Sequence, residues 1–276
     1  MSKTIFDEKE FVYTDDQKKK LSELRILVED CKELEIGTDD IFLSKFLYSV
    51  QWNVPNAYEK IHRYYDFKAL YPTWIASHPP EEFKDHFLVH KCRNVMPIPD
   101  KDGRAIMIIH AVDLFDKYPN YFYDLVEMDD LIIEALFLLP QVQKCGINMV
   151  FDLMDATKNI IKLVSPSNSK MMNKKNDVLP NTNRTCHLLQ KGFLMNTATS
   201  MIMPFMEKSF RETIFHHDGK NLKKFRAAIG EDNAPAIYGG PVKNTFDENL
   251  IWNHIMTNRE YLVKLQTYRK ASAVKK

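Results

Sequence analysis

The sequence predicts an α/β fold, with a small helical lobe followed by a body of alternating strands and helices. Three observations carry this reading. Apolar residues recur at helical spacing over residues 14–71. Two short, branched runs, AIMIIH at residues 105–110 and INMVFD at 147–152, read as strands buried on both faces. A helical stretch lies between them, and strand, helix, strand in that order indicates a parallel crossover.

Thr14 and Gln17 make a capping box, after which Leu21, Leu24, Val28 and Cys31 share one face of a first helix. Gly37 is expected to break it. Thr38 or Asp39 caps a second helix with Ile41, Phe42, Phe46 and Leu47 on its apolar side; Asn53 and Pro55 open a third, which Pro72 ends. Pro79-Pro80 marks the boundary of this lobe. The expected organisation is a flexible tail (1–13), a helical lobe (14–78), the main body (82–243) and a C-terminal helix with a basic tail (244–276). Within the body, Asp102-Gly103 turns into the first strand, and Pro140 kinks or ends the helical stretch of residues 120–143. A helix over 166–177, a strand over 185–189 and a helix over 195–215 follow. The last helix spans 246–265, with Asn244 or Thr245 as cap and Asp247 and Glu248 in its first turn.

The chain has 276 residues, enough for a large core, and 38 Lys and Arg against 37 Asp and Glu leave no net field for nucleic acid or an anionic membrane. Cys31, Cys92, Cys145 and Cys186 lack CxxC or zinc-site spacing and suit reduced thiols in the cytoplasm. The start, MSKTIFDEKE, is unlike a secretory signal, and the most apolar run, residues 131–139, is too short to cross a bilayer and contains Glu134. No GxGxxG or GxxxxGK[ST] occurs, so no nucleotide is expected. His216, His217 and Asp218 read as a polar loop before Gly219 rather than a metal centre, because adjacent histidines point apart. His110, Asp113, Asp152 and Asp155 fall at or just beyond strand ends, where α/β enzymes place catalytic groups. Without a nucleophile elbow they read as polar groups bonded to neighbouring loops, and a hydrolase or isomerase using His110 and Asp152 is a remote alternative. Met195, Met201, Ile202, Met203, Phe205, Met206, Phe210 and Phe215 are either an ordinary core segment or the adaptable wall of a ligand site.

TDDIFLSKFLYSVQWNVPNAYEKI at 38–61 is followed by DGRAIMII (102–109), GINMVFDL (146–153), LPNTNRTCHLL (179–189), PFMEK (204–208) and APAIYGG (234–240). In order and spacing these segments resemble the CRAL-TRIO lipid carriers, over residues 38–240. The resemblance implies a mixed β-sheet flanked by helices, enclosing a hydrophobic cavity closed by a mobile gate helix, here residues 192–210. It implies binding and transfer of one small hydrophobic ligand, a retinoid, tocopherol, carotenoid or similar isoprenoid, without catalysis, metal or further cofactor. Moving about ten methylenes from a bilayer into water would cost roughly 8 kcal/mol, so such transfer needs an enclosed pocket. Matching neighbouring motifs puts Ile133, Phe137, Ile147, Phe151, Val164, Met171, Cys186, Leu194, Ala198, Met201, Ile202 and Phe205 on its lining. The carrier is expected to be cytoplasmic and to touch membranes transiently. In the family's tocopherol carriers a basic cluster binds phosphoinositides, at positions matching Val50, Thr182, Arg184, Ser209 and Thr213 here. Arg184 alone remains basic, with Lys45, Lys208 and Arg211 nearby in sequence. Weak phosphoinositide dependence is therefore expected, with Arg184, Lys208 and Arg211 as the headgroup contacts. Gln190-Lys191-Gly192 replaces the family's Asn-x-Pro, and Ile237 replaces a glutamate, which predicts a looser gate hinge. The alternative to a carrier is a lipid-sensing adaptor that signals to a protein partner through its C-terminal helix.

Overall fold

Three helices, α1 (Asp15–Glu29), α2 (Asp40–Ser49) and α3 (Val54–Leu70), form the N-terminal lobe. They belong to a computed structural model that describes residues 4–8, 10–159, 165–247 and 249–271, with backbone alone at 193–195. The capping box of Thr14 and Gln17 closes on α1, the Asp39 carboxylate accepts from the Phe42 amide at 3.0 Å, and the Asn53 side chain accepts from the Asn56 amide at 3.0 Å. Helix α1 stops at Glu29, well before Gly37, and a short strand β1 (Leu34–Glu35) comes between. Gly37 has a different use. A Cβ there would run into the Tyr268 ring, so glycine admits the C-terminal segment against the lobe.

The body runs α4 (Lys84–Leu88), β2 (Arg93–Val95), β3 (Ala105–His110), α5 (Tyr121–Leu136), α6 (Pro140–Cys145), β4 (Ile147–Leu153), α7 (Pro166–Val178) and β5 (Arg184–Gln190). It continues through α8 (Phe193–Ile202), a tight turn at Met203–Phe205, α9 (Lys208–Arg211), β6 (Ile214–Asp218) and α10 (Lys223–Ile229). The strands form one mixed sheet in the order β2-β3-β4-β5-β6, with β2 antiparallel to β3 and the others parallel. The helix expected over 195–215 is therefore interrupted. Pro204 cannot continue it, and the β-branched and aromatic pair Ile214-Phe215 joins the sheet instead, turning the expected His216-His217 loop into an edge strand.

Alternation along the strands divides the core. Ala105, Met107, Ile109, Ile147, Met149 and Cys186 face the larger core, which also holds the N-terminal lobe and α5; Ile106, Ile108, Val150 and Leu189 face a smaller one with Phe225, Ile229 and Tyr238. The C-terminal helix expected over 246–265 is two helices, α11 (Leu250–Thr257) and α12 (Arg259–Thr267), broken at Asn258, and then β7 (Arg269–Lys270) pairs antiparallel with β1. Asn244 is not its cap, because that side chain donates to the Asp232 and Ala234 carbonyls at 2.7 and 3.0 Å. Among the described residues, no helix is long and apolar enough to cross a membrane.

Candidate ligand cavity

A cavity of about 240 Å³ lies against the larger-core face of the sheet. Its floor takes the ends of β3 and β4 (Ile109, Phe151, Leu153), the length of β5 (Arg184, Cys186, Leu188) and Ile214 at the start of β6. These side chains share one face because alternate residues of a strand point the same way. One wall is α5, through Phe122, Leu125, Val126 and Asp129; another is α7, through Asn168, Ser169 and Met172. The roof is Thr199 and Ile202 of α8 with Met203, Met206 and Phe210.

Few polar groups reach it. Arg93 is 2% exposed, its Nε and Nη2 donating to the Asp129 carboxylate at 2.5 and 3.2 Å and its Nη1 to the Cys92 carbonyl at 2.9 Å. Arg184 donates through Nη1 to Asn176 at 2.5 Å, and its guanidinium lies 5.4 Å from the centroid of the Phe210 ring. Burial pushes the Cys186 thiol up, tempered by the Arg184 charge, so it stays protonated and packs as a small apolar group. At the rim, Asp152 accepts from Tyr238 Oη at 2.8 Å and lies 3.6 Å from His110 Nδ1. Burial raises the Asp152 carboxyl, but the bonds from His110 and Tyr238 outweigh it and hold the group below its ordinary range. That network ties two strand ends to the Ala236–Tyr238 turn. At the roof, Gln190 donates to Thr199 Oγ1 at 2.7 Å and receives His216 Nδ1 at 2.9 Å, joining β5, β6 and α8.

The model of the CRAL/TRIO domain matches residues 91–240, more than half of the chain and the whole of the sheet and cavity just described. The chain belongs to the CRAL/TRIO family. Proteins of this family bind and transfer small lipophilic ligands. Clavesin-1 of Rattus norvegicus and of Mus musculus is 24% identical to this chain over 210 residues, covering 74% of it and 58% of the relative; for Clavesin-1 of Xenopus laevis the covered share is 62%. The match therefore spans about three fifths of those relatives. The crystal structure of Sfh5 has the same fold, with a TM-score of 0.52 at 13% identity, covering 86% of this chain and 91% of that one.

Of the lining residues expected in this CRAL/TRIO chain, Phe151, Cys186 and Ile202 stand on the cavity. Ile133 and Phe137 continue the α5 stripe one and two turns past Asp129, into the solid core, and Ile147 lies in that core at the start of β4. Met171 is half-buried beside Met172, a 100° turn of helix away from the cavity. Ala198 is buried, whereas Met201 and Phe205 are 69% and 41% exposed on the outer side of the roof. Val164 and the side chain of Leu194 lie outside the described residues. Phe122, Leu125, Val126 and Asp129 were not foreseen, although their i, i+3, i+4, i+7 spacing marks one helix face, and a carboxylate on such an apolar face is a signal of its own.

Of the expected headgroup contacts, Arg184 lines the cavity, while Lys208 and Arg211 are exposed on α9. Lys45 is 4% exposed and bound to Glu134 at 2.6 Å. His217 is buried with its Nε2 2.8 Å from His187 Nδ1; burial lowers His187 to about 3 and His217 to about 4, which keeps both neutral. Among the described residues, no group of three His, Cys, Asp or Glu is arranged to hold a metal ion.

Proposed function

We propose that this chain binds one small hydrophobic molecule in the cavity over β3 to β5 and carries it between membranes, with α8 and the turn after it as the gate. The observation that carries this reading is the cavity itself, floored by strand side chains and roofed by Ile202, Met203 and Met206. The same segment turns Met201 and Phe205 outward, so it is apolar on both sides. An inner side that covers a ligand and an outer side suited to an acyl surface fit a gate that opens at a membrane. Binding and release need no bond to be made or broken, so no catalytic residue or cofactor enters this reading. Four free cysteines fit a reducing, cytoplasmic setting.

A retinoid, tocopherol, carotenoid or related isoprenoid is the class of cargo we assign to this apolar lining. Native mass spectrometry of protein purified from its own source, followed by extraction, tests the reading: one lipid per chain is expected, and well-folded protein without lipid would count against it. Phosphoinositide dependence should be weak, because Arg184 is turned to the cavity and Lys45 is occupied by Glu134, leaving Lys208 and Arg211. Co-sedimentation with liposomes should be nearly the same with and without phosphoinositides.

A further inference from the structure

The charges around the cavity do not balance. Arg93 and Arg184 line it and Asp129 is the carboxylate among the described lining residues, but Asp129 is engaged by two nitrogens of Arg93. Arg184 is left as the uncompensated cation. Its side chain is held by Asn176 on α7 and by the Phe210 ring, so its position is fixed before any ligand arrives. Its Nε–H is shut off from solvent and has no hydrogen-bond partner. A shielded donor on a charged group costs more than a neutral one unless an acceptor meets it, and an anionic acceptor meets it best.

We propose that the cargo ends in a single carboxylate seated on Arg184, with its apolar body running along Cys186 and Leu188 toward Phe151 and Leu153. Along β5, Arg184 and Leu188 are about 13 Å apart at ~3.3 Å per residue, room for an extended chain rather than a compact ring alone. One cation suits one negative charge, whereas a doubly charged phosphate monoester would call for a second cation. The assignment rests on the carrier reading and narrows it to acid-terminated lipids. It also gives Arg184 an inward role, distinct from contact with a membrane headgroup.

The test is binding of oleic acid, oleyl alcohol and methyl oleate to the full chain, each below its aggregation concentration. Oleic acid should bind at least about tenfold more tightly than the two neutral lipids. Arg184→Gln should remove that preference by weakening oleic acid about tenfold more than the two neutral lipids, and Arg184→Lys, which keeps the charge, should retain part of it and serves should the glutamine variant not fold. Equal binding of all three by the wild type overturns the head assignment alone; binding of none overturns the carrier reading with it. Arg184→Gln weakening all three alike would assign the arginine to packing and overturn the proposal. So would a variant that loses binding to vesicles containing phosphatidylinositol phosphates yet keeps its preference for the acid.

Discussion

Gly192 holds φ +86° and ψ 167°, backbone territory essentially confined to glycine. Proline, the residue of the family pattern at this corner, fixes φ near −65°, so the turn into α8 differs in shape as well as stiffness. No atom lies within 4 Å of where a Cβ would sit, and Gly192→Ala should therefore lose only the backbone contribution, about 1–3 kcal/mol. Gly192→Pro should lose more and release ligand faster, despite matching the family. Thermal melts ranking proline equal to glycine would refute this. Asp130 on α5 is a second residue whose role is set by its surroundings. It is buried with Lys175 of α7 at 2.6 Å, and burial raises its carboxyl to about 6 against the pull of that lysine. The folded state thus holds the proton more tightly than the unfolded chain, whose aspartates titrate near about 4, so this group's contribution to stability falls as pH climbs from about 4 through 6. Lys175→Met removes that pull, so Asp130 of the variant keeps its proton further up the pH scale, and the stability lost should be about 1 kcal/mol larger at pH 7 than at pH 5, where Asp130 is protonated with or without the lysine. Urea titrations at the two pH values measure the difference; equal losses would show the pair is not electrostatic.

A polar link from Gln190 to Thr199, backed by His216 from β6, fastens the roof element α8 to the sheet. Both partners are buried, so Thr199→Val leaves the Gln190 amide without that acceptor, a loss of about 1–3 kcal/mol concentrated where α8 meets the sheet. Bound lipid should exchange about tenfold faster, with hydrogen exchange rising over residues 193–202 and unchanged in β3 and β4; Thr199→Ser should restore both. Unchanged exchange in Thr199→Val would remove the link from the gate. The apolar roof was legible in the sequence as a Met- and Phe-rich segment, whose Ile202, Met203, Met206 and Phe210 line the cavity, but the Gln190–Thr199 link was not. Periodicity and caps located α1 to α3, and β3 to β5 announced themselves as branched apolar runs. Periodicity also marked the face of α5, but not which turns of it overlie a cavity and which a solid core, so Ile133 and Phe137 fell too deep by one and two turns. On α7, a choice between adjacent methionines is a 100° rotation that no composition resolves. Strand β6 was hidden behind an apolar segment that hydropathy reads as helix, because its pairing with β5 is a long-range contact.

At the scale of the whole molecule, the C-terminal segment closes the fold. Lys68 Nζ donates to the carbonyls of Gln266 and Tyr268 at 2.8 and 2.7 Å, capping the end of α12; Tyr261 Oη donates to Asp39 at 2.8 Å; and β7 pairs with β1. The N-cap aspartate of α2 therefore serves two helices. In the sequence this stretch is the support for an adaptor that signals to a protein partner through its C-terminal helix; in the fold Ile251, Trp252, Ile255, Leu262, Leu265 and Tyr268 are buried in the same core as α5 and the N-terminal lobe. Each such side chain contributes about 1.5–3 kcal/mol, so the six come to roughly 9–18 kcal/mol. A domain has about 5–15 kcal/mol of stability in all. Deleting residues 244–276 should accordingly give a chain without a cooperative thermal transition, binding a hydrophobic dye and retaining no lipid, whereas Tyr261→Phe should cost about 1 kcal/mol and leave ligand binding intact. A truncated monomer that melts cooperatively with its lipid bound would show the segment to be an appendage, and would return the adaptor reading to contention.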